Sequence, residues 1–166
     1  MQKKTYLFDS STLILLAKIT LLRNFASQKD VRITQLIKEE VFQKKEAEDS
    51  IIIEICIKED VIKLLGNSDK TKKIAEQFGI DDGEAEVIAF AMDNNYIVAT
   101  DDLKAIKTCK ILNIPFITAI HCLISYNKAK KEDKKITLEK LKKLEKIGRY
   151  SSEIIKEAKM IIEGEK

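Results

Sequence analysis

Five short apolar segments, each separated from the next by at least one stretch with helical character, constrain this chain more than any other feature. They are KTYLF (4–8), VRIT (31–34), DVIKLL (60–65), YIVAT (96–100) and IPFIT (114–118). All are β-prone and of buried-strand length. Short apolar strands alternating with helices imply an α/β fold whose parallel sheet is covered on both faces. In such folds ligands collect beyond the carboxyl ends of the strands. Two acidic sites stand there: Asp9 follows the first segment directly, and Asp101 and Asp102 follow the fourth.

The intervening stretches read as helices. Ser10 to Thr12 are capping residues before one apolar run, SSTLILLAKITLLRNF, which suits a single buried helix. QLIKEEVFQKK (35–45) is amphipathic, and 47–57 has the character of both helix and strand, with helix preferred. DKTKKIAEQF ends at Gly79, DDGEAEVIAFAMDNN (81–95) starts at an acidic cap, and DDLKAIKTCKIL ends at Asn113. AIHCLISY is helical and leads into the charged run 127–135. Two further helical segments follow, with Leu138, Leu141 and Leu144 on one stripe and Ile154, Ile155, Ala158, Ile161 and Ile162 on another. The change in composition divides the chain into 1–126 and a charged helical extension, 127–166, packed on or next to it.

Composition removes several kinds of chemistry. His121 is the only histidine, and the three cysteines (Cys56, Cys109, Cys122) are far apart, so a zinc site is disfavoured and a His base is excluded from most roles. An odd cysteine count with no CxxC pair and no signal peptide points to core thiols in a reducing cytoplasm. No apolar run reaches the roughly 20 residues that cross a membrane. A net charge of +3 is compatible with a nucleic-acid partner without demanding one. Catalysis must then rest on carboxylates, lysines or hydroxyls.

The acids are the candidates. Asp9 and the Asp101–Asp102 pair also suit helix caps, but adjacent acids repel, which gives one of them a second reason to be there. Glu40 lies three residues after Ile37 and four after Leu36, which puts it on the apolar face of its helix, whereas Glu39 lies on the polar face. A carboxylate on a buried stripe is costly unless paired with a Lys or bound to metal. Glu84 shares a stripe with Val87, Ile88 and Ala91 in the first helical turn, where the dipole favours negative charge; Glu86 lies with Phe90 and Asp93. Four converging carboxylates would repel unless a cation joined them. All-oxygen ligation selects Mg²⁺ or Mn²⁺. Lys104, Lys107 and Lys110 recur at three-residue steps after the last acids, and 128–149 adds Lys and Arg149; these serve either as solvated surface or as phosphate contacts.

Strand–Asp9, IKEEV with Glu40, DDGEAEVIAFA with Glu84 and VATDD with Asp102 together resemble the PIN-domain nucleases, among them the VapC toxins. The tail LEKLKKLEKIGRYSSEIIKEAKMIIE resembles the helical extension of a VapC-like subgroup. The resemblance implies a three-layer α/β/α sandwich with C-terminal helices and a Mg²⁺- or Mn²⁺-dependent endoribonuclease. It implies an acidic quartet, Asp9, Glu40, Glu84 and Asp102. Asp9 and Asp102 would bind the metal directly, Glu84 directly or through water, and Glu40 would hold a metal-bound water or help orient the attacking hydroxide. Glu86 is a rival for Glu84, and Asp101 for Asp102. Thr100 and Ser11 match polar positions beside the acids, expected with Lys104 and Lys107 to contact substrate. RNA, an antitoxin protein and a homodimeric partner are the implied associations. The competing readings are a catalytically silent PIN-fold module and a phosphatase with Asp9 as nucleophile; the second acid such phosphatases usually carry two residues on is here Ser11.

Overall fold

The computed structural model describes residues 3–43 and 47–164. Its strands are β1 (Thr5–Phe8), β2 (Asp30–Thr34), β3 (Ile62–Leu65), β4 (Ile97–Ala99) and β5 (Phe116–Ile117). Its helices are α1 (Ser10–Lys18), α2 (Leu22–Ala26), α3 (Gln35–Phe42), α4 (Glu48–Lys58), α5 (Thr71–Phe78), α6 (Asp82–Asn94), α7 (Leu103–Ile111), α8 (Ala119–Lys130), α9 (Lys134–Ile147) and α10 (Ser152–Glu163). The last two residues of the helix expected over 35–45 lie outside the described residues.

All five strands are parallel, in the order β3-β2-β1-β4-β5. Helices α1, α2, α4 and α8 pack on one another, while α6 packs on β1, β2 and β4 and carries α5 and α7. The result is a three-layer α/β/α sandwich. Leu7, Phe8, Val31, Ile33, Val98 and Ala99 fill its centre. Ala85, Ala89 and Ala91 are buried on α6, and side chains this small let the helix lie close to the sheet. Cys56, Cys109 and Cys122 are free and buried.

The chain proceeds from β1 outward through β2 to β3, then returns to the other side of β1 for β4 and β5. The order therefore reverses between β1 and β4, where an open α/β sheet leaves a crevice at its carboxyl edge. Register fixes what stands at that crevice. Leu7 pairs with Val98 and Phe8 with Ala99, and the Asp9 N–H donates to the Ala99 carbonyl at 3.0 Å. The residues after the two strands emerge side by side.

Two sequence expectations need correction. The run after Asp9 is not one helix: α1 ends at Lys18, Thr20 turns at φ 57°, and α2 starts at Leu22. Ile19, Leu21 and Leu22 are all fully buried. A straight helix advances about 100° per residue and would point Leu21 away from Ile19, so the break buries more apolar surface than continuity would. Glu40 is exposed, not buried: Ile37 and Val41 fill the core-facing stripe of α3 and Glu40 stands at its edge.

The charged run at 127 begins inside a helix. Helix α8 continues through it to Lys130 and stops at Lys131, which adopts φ 50°. Helices α9 and α10 pack on α8 and on each other, burying Leu141, Leu144, Ala158 and Ile162. Lys140 is also largely buried there, paired with Glu132 at 2.9 Å.

Candidate active site

Three helix N-caps meet at the carboxyl edge of the sheet. Asp9 caps α1, Asp81 caps α6 by accepting from the Glu84 N–H at 3.1 Å, and Asp102 caps α7 by accepting from the N–H groups of Lys104 (2.8 Å) and Ala105 (3.0 Å). Capping thus explains each acid locally, and the parallel register explains why they meet. The positive ends of three helix dipoles face the acids.

Asp9 is the most constrained. It is 2% exposed. One carboxylate oxygen accepts from the Ser11 hydroxyl (2.7 Å) and the Thr12 N–H (3.1 Å); the other accepts from the Thr100 hydroxyl. Burial pushes its carboxyl up to about 7, against the downward pull of the Thr100, Ser11 and Thr12 hydrogen bonds, and the Asp101 charge adds to the rise. Thr100 is fully buried, and its hydroxyl also accepts from the Asp102 N–H at 3.1 Å. It therefore braces Asp9 and Asp102 and does not face solvent. Ser11 is similarly engaged, donating to Asp9 and accepting from the Asp101 N–H at 2.9 Å.

Glu84 lies half-buried in the first turn of α6. Burial pushes it up to about 8; the charges of Asp81, Asp102 and Asp9 and a hydrogen bond with Asp102 push the same way. Glu84 is therefore the carboxyl of this group for which ionisation is most opposed by its surroundings. Glu86 lies elsewhere: it is 1% exposed, and one of its oxygens accepts from the Ser68 N–H at 3.1 Å. Of the two rivals, Glu84 stands with the other acids.

Glu40 occupies an adjoining recess with Leu36, Glu39 and Gln43, and Asp81 lines both recesses. The Ser10 hydroxyl donates to Glu40 at 2.8 Å, tying it to the residue after Asp9. On its other side is Gly83, where an added Cβ would stand 2.9 Å from a Glu40 oxygen. Asp101 lines the same recess as Glu84 and Asp102, but both of its oxygens are engaged by the protein. One of its oxygens accepts from the Thr12 hydroxyl (2.5 Å) and the Ala119 N–H (3.0 Å), the other from the Tyr150 hydroxyl. These bonds fasten β4 to α1, α8 and the turn before α10.

The main recess, about 460 Å³, is lined by Asp81, Glu84, Asp101 and Asp102, with Lys104 and Arg149 as its basic side chains. Lys107 is exposed further along α7. His121 is occupied as the cap partner of Thr118, whose N–H donates to its Nδ1 at 3.1 Å. Arg149, a candidate phosphate contact from the sequence, stands at this recess, whereas Asp81 and Tyr150 are contributors that the sequence does not place there. Asp81 had its cap signature, but nothing in the sequence joins Tyr150 to Asp101.

A family model described as DUF3368, PIN domain, matches residues 5–163. The chain belongs to the PIN-domain family. Among solved structures this PIN domain is similar in fold to PAE2754 from Pyrobaculum aerophilum, with a TM-score of 0.58 and 18% identity over 76% of this chain and 99% of that one. No curated protein matches it. PIN domains are generally nucleases that use divalent metal ions. The donor set of this PIN domain fits such an ion chemically, being all carboxylate and carrying like charges that a cation would relieve. Among the described residues, however, no three His, Cys, Asp or Glu side chains are arranged so that they could hold a metal ion. No helix among them is long and apolar enough to cross a membrane.

Proposed function

We propose that this PIN domain is an endoribonuclease that hydrolyses RNA phosphodiester bonds with Mg²⁺ or Mn²⁺ held by Asp9, Glu84 and Asp102. The observation that carries this reading is the convergence of Asp9, Glu84 and Asp102 at the crevice between β1 and β4: Thr100 joins Asp9 to Asp102, Glu84 and Asp102 line one recess, and the charges of Asp102 and Asp9 add to the burial that raises Glu84. A site built only to cap helices gains nothing from that crowding, whereas a cation converts it into binding energy. The ion supplies positive charge to the phosphodiester as negative charge develops there, and activates water.

The chain's own residues do the rest. Asp9 is fixed by three donors, so its oxygens need no reorganisation. Glu84, half-buried in the first turn of α6, would hold the ion together with Asp9 and Asp102. Glu40, held by Ser10, orients the attacking water from the adjoining recess. Lys104 on the rim and Lys107 along α7 meet backbone phosphates.

That no three such side chains among the described residues are arranged to hold a metal favours a second reading, a silent PIN-fold interaction module. Two measurements on one sample separate them: calorimetric titration with Mn²⁺, and cleavage of a fluorophore–quencher RNA by wild type and Asp9→Asn. The nuclease reading expects Mn²⁺ binding, cleavage by wild type, and loss of both in the variant. Absence of Mn²⁺ binding together with intact RNA leaves the module.

The proposal extends to a toxin role with a small antitoxin protein as partner, and to a homodimer, on family likeness. Induced expression of wild type beside Asp9→Asn tests the toxin role, which equal growth of both hosts removes. Light scattering on the purified chain decides the dimer.

A further inference from the structure

We infer that the turn between α9 and α10, Gly148-Arg149-Tyr150, belongs to the substrate groove, with Arg149 holding an RNA backbone phosphate next to the acids. The inference rests on the nuclease reading above and adds to it a specific phosphate-positioning residue.

Arg149 lines the same recess as Asp81, Glu84 and Asp102. It nevertheless forms no ion pair with any described residue, although acids face it across about 460 Å³ of open space. A guanidinium facing carboxylates without closing on them leaves room for a group that can bond to it. A phosphodiester suits that place, since its oxygens accept two parallel hydrogen bonds from the guanidinium fork. The wall opposite Arg149 also demands a cation on its side. A recess walled by acids repels a polyanion, and Lys104 and Arg149 are the basic side chains on the rim.

The turn is built to stay in place. The Tyr150 hydroxyl donates to Asp101, which Thr12 and Ala119 hold from the other side. Burial, then the Asp101 charge, raises the Tyr150 hydroxyl above its ordinary value, so it stays protonated and remains a donor. Gly148 permits the close approach of the ring: a Cβ there would stand 2.5 Å from the Tyr150 ring and 2.8 Å from the Leu144 carbonyl oxygen. Tyr150 is the anchor, and Arg149, exposed beside it, is the residue presented to the groove.

The test measures binding of a fluorescein-labelled single-stranded RNA by anisotropy in EDTA across a salt series, and cleavage kinetics with Mn²⁺. The variants are Arg149→Gln, Arg149→Lys and Tyr150→Phe. Arg149 is exposed, so its substitutions leave the fold intact, which circular dichroism checks. Arg149→Gln is expected to bind roughly tenfold more weakly. Its plot of log affinity against log salt should flatten by about one unit, and its KM should rise with little change in kcat. Arg149→Lys should recover the salt slope, and Tyr150→Phe should weaken binding in the same direction. Wild-type affinity and slope in Arg149→Gln, with cleavage retained, overturns this inference and leaves the nuclease reading standing. A wild type that neither binds nor cuts RNA overturns the nuclease reading and this inference with it.

Discussion

Replacing Asp9 with Asn probes the electrostatic centre of the site without removing a side chain. The Asp9 carboxyl is pushed from its ordinary 3.8 up to about 7 in the folded protein. Between those two values the folded state keeps a proton that the unfolded chain has already lost. Stability from this group is therefore complete below about pH 4, falls as pH rises towards 7, and stays low above that. A gap of about 3 units is worth about 4 kcal/mol in full, of which roughly 2–3 kcal/mol is lost between pH 5 and pH 8. Asn carries no charge at either pH. It keeps one acceptor for Ser11 and Thr12 but turns an amide towards Thr100, at a pH-independent cost of about 1 kcal/mol. Urea unfolding followed by circular dichroism in EDTA should find the two proteins near parity at pH 5 and the variant more stable at pH 8. The difference should swing by roughly 2–3 kcal/mol in the variant's favour. Glu84 loses one of its repelling neighbours in the variant, which adds to the swing. Mn²⁺ at pH 8 should restore the wild type and leave the variant almost unmoved. A wild-type-to-variant difference equal at both pH values refutes the burial argument.

Gly148→Ala drives a methyl group against the Tyr150 ring and the Leu144 carbonyl; a loss of about 1–3 kcal/mol is expected in the same unfolding assay. Thr20→Gly relieves a β-branched residue at φ 57°. It should gain roughly 0.5–1 kcal/mol, read as a higher thermal midpoint, although the Thr20 hydroxyl loses its bond to the Ile19 carbonyl.

The parallel sheet was legible because each strand is a compact apolar block with turn or cap residues at its end. Asp9 and Asp102 were legible for the same reason, since the strand end fixes where the next residue emerges. The break at Thr20 was not, because no Gly or Pro marks it; tertiary burial of Ile19 and Leu21 imposes it. Glu40 was misplaced because helical spacing sets an angle about the axis but not how far the neighbouring element reaches round it. Asp101 and Asp102 are equivalent in sequence, and only the donors from Thr12, Ala119 and Tyr150 tell them apart. The Tyr150 bond crosses 49 residues of chain, and nothing local announces it.

That bond sets a limit on shortening the protein. Asp9, Glu40, Asp81, Glu84 and Asp102 all precede α7, so a polypeptide ended after α8 would retain every acid of the cluster. It would also leave one Asp101 oxygen facing water, uncover the apolar side of α8, and remove one of the two basic side chains on the recess rim. A truncation that looks conservative on the page would leave the carboxylates with a loosened frame.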